Sequence, residues 1–180
     1  MSRTKPAETP VETKLLVVFS DLTSFARTTM SMKPLDLFAM MSESSEQVGD
    51  LISPAGGKVV KFIGDAFLAV FPADRADDGV KALLDLREKG DAWFAQRNLQ
   101  CRHVIKAHLG DVACGLIGTR GDKRFDVYGI AVNVAAMMKS GGFAISPEAF
   151  RALSPLTRKA FKKHTPPVVY IPGEDDRRRY

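Results

Sequence analysis

GGKVVKFIGDAFLAVF, residues 56–71, reads as two apolar runs around a Gly64-Asp65 step. Gly and Asp tolerate the backbone angles of a tight turn, so Lys58–Ile63 and Ala66–Phe71 are expected to pair as a β-hairpin. A hairpin does not account for Lys61. It sits among Val59, Val60, Phe62 and Ile63, where a charge must find a partner or reach solvent.

Upstream, Lys14–Leu22 (KLLVVFSDL) is a short apolar strand ending in a carboxylate. From Pro34 to about Ser53 the residues Leu37, Met41, Val48 and Ile52 recur at helical spacing, and Pro34 suits a first turn. Downstream, Asp74–Asn98 carries Val80, Leu83, Leu84, Leu86 and Trp93 and reads as a second helix, with Gly90 awkward near its end. His103–Gly110 and Asp111–Gly118 read as two further strands. A polar segment, Thr119–Arg124 (TRGDKR), leads to FDVYG and a small-residue helix at Ile130–Lys139; short strands and a helix follow, up to Pro166–Ile171 (PPVVYI). Strand–helix–strand–strand–helix–strand is the ferredoxin-like order: an α+β fold with an antiparallel sheet and its helices on one face. That order by itself specifies no function.

The chain has 180 residues, enough for one domain with a real core. Its hydrophobic fraction of 45% and charged fraction of 26% are those of a soluble globular protein. Residues 1–13 are expected to be a flexible leader, 14–172 the domain and 173–180 a charged tail. The net charge is +5, part of it from Arg177-Arg178-Arg179. Elsewhere bases and acids mix, and no aromatic-rich basic stripe occurs, which disfavours nucleic acid as a partner. Cys101 and Cys114 form neither a disulfide framework nor a zinc site, and His103, His108 and His164 lack metal-ligand spacing. No apolar stretch approaches the roughly 18 residues of a membrane span, and no secretory signal is present, so the cytoplasm is the expected location.

Asp21 and Asp65 each end an apolar strand, and the expected topology makes those strands neighbours. Two carboxylates brought together repel, which raises one pKa or recruits a cation; oxygen ligands favour Mg²⁺ or Mn²⁺. The alternative is a strand-end Asp and a turn Asp that never meet.

Four segments in order, FSDLTSFA (Phe19–Ala26), GGKVVKFIGDAFLAVF (Gly56–Phe71), HLGDVACGLIG (His108–Gly118) and FDVYGIAVNVAAMM (Phe125–Met138), resemble the motifs of class III nucleotidyl cyclases. The resemblance runs from about Lys14 to Ser146. It implies a homodimer with active sites between protomers, a nucleoside triphosphate substrate and two divalent cations, Mg²⁺ or Mn²⁺. Asp21 and Asp65 match the metal-binding aspartates, with the backbone carbonyl of Leu22 assisting. Lys61 and Asp126 match the base-reading positions, and Asn133 the residue that holds the ribose. Lys163 fits the late phosphate-binding lysine, with Lys162 as plausible, and TRGDKR resembles the arm that crosses to the other protomer. The implied reaction yields a 3′,5′-cyclic nucleotide and pyrophosphate, with ATP the first choice because Lys and Asp resemble the adenylyl-type pairing.

Met137, Ser24 and Phe62 depart from the family pattern. Met137 stands one helical turn after Asn133, where the family usually carries an Arg that stabilises the transition-state phosphate, and methionine donates no hydrogen bond. Arg120, Lys123 and Arg124 are the candidate substitutes. Ser24 replaces a glycine common in the first motif. Met137 and Phe62 keep open a pyrimidine cyclase making cyclic UMP or cyclic CMP, as in bacterial antiphage defence. Met137 also keeps open a degenerate, non-catalytic nucleotide-binding homologue.

Overall fold

The computed structural model describes residues 9–165 and 167–177. Four strands make the heart of the sheet: β1 (Val11–Leu22), β2 (Lys58–Ile63), β3 (Ala66–Pro72) and β4 (His103–Gly118), in the order β2-β3-β1-β4 with every neighbouring pair antiparallel. This is the ferredoxin-like arrangement expected from the order of elements. Between β1 and β2 run the short α1 (Phe25–Thr29) and the long α2 (Pro34–Ile52); α3 (Ala76–Gln96) joins β3 to β4 after a 3₁₀ turn at Ala73–Arg75. Beyond β4 the chain adds β5 (Lys123–Tyr128), α4 (Ile130–Met137), β6 (Phe143–Ile145), α5 (Pro147–Ala152), α6 (Pro155–Arg158), β7 (Phe161–His164) and β8 (Val169–Pro172). These later strands extend the sheet as β4-β6-β8-β7, while β5 pairs with the outer part of β4.

Strand alternation sorts the core onto two faces. Leu16, Val18, Ala69 and Phe71 point toward α2 and α3, meeting Val48, Ile52, Val80, Leu83 and Leu86. Val17, Leu68, Val70, Val112 and Val127 point the other way and are covered by Ala131 and Ala135 of α4. Helices therefore lie on both faces, because α4 caps a second apolar patch that α2 and α3 cannot reach. The sheet is mixed rather than purely antiparallel: β6 returns beside β4 in parallel, Ile105 opposite Phe143.

Three boundaries differ from the sequence reading. β1 begins at Val11, inside the stretch taken as leader, because Val11, Glu12 and Thr13 pair with Cys114, Ala113 and Val112 of β4. The two strands expected over 103–118 are one strand of 16 residues. β1 pairs along it from His103 to Cys114 and β5 from Ala113 to Gly118, so the ladder has no break at Gly110-Asp111. The charged tail is structured in part: Gly173–Arg177 forms a 3₁₀ turn and Asp175 is buried, where Arg87 of α3 pairs with it. Asp175 also accepts from the Phe143 N–H at 3.4 Å, which attaches this segment to β6. Residues 178–180, and residues 1–8 of the leader, lie outside the described residues.

Gly90 has a packing reason. A Cβ there would lie 2.4 Å from Cε1 of His103, whose ring fills the space over that turn of α3. His103 is anchored by its own N–H, which donates to Asp91 Oδ1 at 2.8 Å, and its ring lies 5.7 Å from that of Phe94.

Candidate active site

Gly64 and Asp65 form a two-residue turn between the paired Ile63 and Ala66, and Gly64 sits at φ 63, the left-handed region such turns require. The register that pairs Ser20 with Phe67 carries the hairpin tip to the end of β1. There the Leu22 N–H donates to Asp65 Oδ2 at 3.4 Å. Asp21, Leu22 and Asp65 are thus gathered at one end of the sheet, with both carboxylates partly open to solvent. The following turn is pinned to the start of β4: the Thr23 N–H donates to the Arg102 carbonyl at 2.9 Å, and the Arg102 N–H to Thr23 Oγ1 at 3.1 Å.

Beneath this end lie Leu22, Met40, Phe94 and Cys101. Burial pushes the Cys101 thiol up, and the Asp65 carboxylate acts in the same direction against a hydrogen bond with Thr28. Among the described residues no group of three or more His, Cys, Asp and Glu side chains is arranged to hold a metal ion. Asp21, Asp65 and the Leu22 carbonyl could together offer an all-oxygen donor set. That set suits a hard divalent cation whose remaining ligands come from water or phosphate.

Lys61 finds its partner in β5: Nζ lies 2.6 Å from Asp126 Oδ2. Two features bring them together. A bulge leaves Val60 unpaired, with Val59 opposite Ala69 and Lys61 opposite Leu68. Without it Lys58 and Lys61, three residues apart, would face opposite sides of the sheet; with it both face the side of Leu68 and Val70. The strands also curl around the Val17–Leu68–Val112–Val127 core, so β5 returns over β2. Lys58 then stands 3.8 Å from the Phe125 ring centroid and Lys61 6.0 Å from that of Tyr128. Asp126 Oδ1 accepts from the Val127 N–H at 2.8 Å, which holds the carboxylate in place.

The other expected residues are dispersed. Asn133 is exposed on α4, and Met137, one turn on, is 79% exposed. With Ile130 and Val134 they make a largely apolar outer ridge that carries no cation. Arg120, Lys123 and Arg124 are exposed at the tip of the β4–β5 hairpin, which projects past the last β1 pairing at Cys114. Arg124 is bonded to Asp122 at 3.1 Å. Lys163 lies in β7, at the edge of the sheet opposite β2.

Ser24, the off-pattern residue of the first motif, adopts φ 56 and ψ 14 at the start of α1. That is the left-handed conformation in which a glycine is unstrained and other residues are disfavoured by about 1–2 kcal/mol. Its Oγ accepts from Arg27 Nη2 at 3.2 Å. The sequence reading does not single out Arg27; its only signal is a serine and an arginine three residues apart, shortly after Asp21-Leu22. A cleft of about 1490 Å³ along α3 touches this region at Thr23, Ser24 and Arg27, but Asp21, Lys61, Asp65, Asp126 and Asn133 do not line it.

A family described as the adenylate and guanylate cyclase catalytic domain matches residues 9–180. An adenylate cyclase of Anabaena cylindrica is 26% identical over 134 residues, 70% of this chain and 27% of that protein. The receptor-type guanylate cyclase gcy-23 of Caenorhabditis elegans is 30% identical over 148 residues, 78% of this chain and 14% of that protein. The chain thus spans less than a third of the length of these curated relatives. In fold it is similar to the adenylyl cyclase CyaB from P. aeruginosa, with a TM-score of 0.78 and 17% identity over 90% of this chain and 94% of that one.

Proposed function

The chain belongs to the adenylate and guanylate cyclase catalytic domain family, and we propose that it converts a nucleoside triphosphate, ATP first, into a 3′,5′-cyclic nucleotide and pyrophosphate between two copies of itself. The carrying observation is the bond from the Leu22 N–H to Asp65, which brings the hairpin-tip carboxylate to the strand end that carries Asp21. Asp21, Asp65 and the Leu22 carbonyl would hold the divalent cations, Mg²⁺ or Mn²⁺. When bound, these favour ionisation of the ribose 3′-hydroxyl and offset charge on the departing pyrophosphate.

The chain's own groups do the rest. Lys61 keeps N–H donors beyond the one given to Asp126, and Asp126 keeps acceptor lone pairs, so together they offer a donor beside an acceptor. Adenine's ring nitrogen and exocyclic amine complement that edge. Asn133 would hold the ribose so that the 3′-oxygen stands in line with the α-phosphorus. The new bond joins that oxygen to the α-phosphorus, the bond to the β-phosphate oxygen breaks, and the electron pair leaves with pyrophosphate. The exposed ridge of Ile130, Val134 and Met137 supports a second copy as the cover of this face, since large apolar side chains gain most from burial. Lys163 and the arm residues Arg120, Lys123 and Arg124 are the further contributors this reading assigns to phosphate.

A pyrimidine cyclase is the second reading, favoured by one observation: the Lys61–Asp126 edge also complements the ring nitrogen and amine of cytosine. Purified protein with Mn²⁺, assayed in parallel on ATP, GTP, CTP and UTP, tests both. Preferential cyclic AMP supports the first reading and preferential cyclic CMP or cyclic UMP the second. Absence of any cyclic product leaves a non-catalytic nucleotide-binding domain. Among the described residues no helix is long and apolar enough to cross a membrane.

A further inference from the structure

We propose that Arg27, positioned by Ser24, binds the β,γ end of the bound triphosphate and stabilises pyrophosphate as it leaves; this rests on the function proposed above. The starting point is strain. Ser24 and Asn98 are the two non-glycine residues with positive φ among the described residues, and asparagine tolerates that region far better than serine. A serine kept in a left-handed conformation beside a metal-type carboxylate pair calls for a use of its hydroxyl. Its hydroxyl has one: Oγ receives Arg27 Nη2 and folds the guanidinium back toward the turn that follows Asp21 and Leu22. A glycine would relieve the backbone and leave the arginine free to swing away.

The turn does not yield. Thr23 is tied in both directions to Arg102, so Ser24 and the arginine it holds have a set position relative to Asp21. Arg27 is exposed, and no carboxylate pairs with it among the described residues, whereas Arg75, Arg87, Arg97, Arg124 and Arg151 each have an acidic partner. A guanidinium has five N–H donors in a planar fork, and one bond to Ser24 leaves enough of them for a bidentate grip on phosphate. The outer ridge of α4 supplies no cation, and Arg124 of the arm is engaged by Asp122. Arg27 is therefore the unpaired arginine nearest in sequence to the carboxylate pair. As the α-phosphorus takes the 3′-oxygen, negative charge moves onto the leaving pyrophosphate, and a cation held at that end offsets it.

The test compares wild type with Arg27→Ala, Arg27→Lys and Ser24→Gly. It measures kcat and KM on all four triphosphates and calorimetric binding of inorganic pyrophosphate with Mn²⁺. Arg27→Ala is expected to lower kcat/KM on the order of 10²–10³-fold, to weaken pyrophosphate binding, and to leave the ranking of the four bases unchanged. Arg27→Lys should recover part of both losses. Ser24→Gly should raise the melting temperature while weakening pyrophosphate binding, a combination that a purely structural serine would not produce. Arg27→Ala with wild-type turnover and pyrophosphate binding overturns the inference and leaves the cyclase reading intact. A wild-type protein that neither forms a cyclic product nor binds any triphosphate overturns both.

Discussion

Lys61 Nζ meets Asp126 Oδ2 at 2.6 Å although β3, β1 and β4 lie between their strands in the hydrogen-bonded order. The contact exists because the sheet curls and because the bulge at Val60 turns Lys61 to the inner side of that curl. Lys61→Ala and Asp126→Ala should each lower kcat/KM by about 10–150-fold, the equivalent of a charged hydrogen bond worth roughly 1.5–3 kcal/mol. The double variant should lose less than the product of the two. Urea unfolding should move by less than about 1 kcal/mol, because the lysine is half open to water. Loss of activity without change in relative rates on the four triphosphates would remove the pair from base selection.

Asp65→Ala should reduce turnover on the order of 10³-fold or more and abolish Mn²⁺ binding measured by electron paramagnetic resonance. The Leu22 N–H loses only a long bond of 3.4 Å, so the melting temperature should change little. Retained Mn²⁺ affinity would place the metal elsewhere.

Gly90→Ala should destabilise the fold, although alanine is ordinarily the better helix former by about 1 kcal/mol. The added methyl would meet the His103 ring, which is held by Asp91 and packs at a tilt beside Phe94. Overpacking of this kind costs about 1–3 kcal/mol, and each kcal/mol lowers the melting temperature of a domain this size by roughly 2–4 °C. Calorimetry of the two proteins decides it.

Asp175→Ala should destabilise by about 3–5 kcal/mol, because it leaves the Arg87 guanidinium buried without its counter-charge. Arg87→Met together with Asp175→Leu should recover much of that, since an apolar pair carries no desolvation penalty. Denaturant titration of the single and double variants distinguishes the ion pair from the mere presence of the terminal segment.

Asp77 gives a pH dependence. Burial alone would raise its carboxyl, but hydrogen bonds from Lys81, the Ser154 N–H, Thr157 and Ser154 outweigh it and hold the pKa at about 2. Oδ1 receives the Ser154 N–H at 2.8 Å, joining the first turn of α3 to the start of α6. A carboxylate depressed by folding stabilises the native state above its unfolded pKa of about 3.9 and loses that contribution as pH falls toward 2. After discounting for solvent screening the contribution is about 1–2 kcal/mol. The stability gap between wild type and Asp77→Asn should therefore be full at pH 6, narrow below pH 4 and nearly close at pH 2.

The ferredoxin-like order was legible in the sequence because it follows from local patterns: apolar runs at Lys58–Ile63 and Ala66–Phe71, helical spacing in Pro34–Ser53 and a turn at Gly64-Asp65. The sequence also offered Asp21 and Asp65 as strand-end carboxylates on neighbouring strands, and the structure brings Asp65 to the Leu22 N–H, next in the chain to Asp21. What surrounds them was not legible. The single β4, the strand status of Val11–Thr13 and the buried place of Asp175 all depend on partners far along the chain, and periodicity within a segment carries no record of them.

Asp126 and Lys61 mark the division. Residue chemistry singled out Lys61, a lysine in an apolar strand that needs a partner, and the family resemblance pointed to Asp126. That they bond to each other was decided by one unpaired residue at Val60 and the curl of five strands around a small apolar core. The same holds at Ser24: its departure from glycine is visible in the sequence, whereas its left-handed backbone and its grip on Arg27 arise only when Thr23 is tied to Arg102 across the fold. Sequence determined which groups were available; long-range pairing, which no local spacing encodes, determined which of them meet.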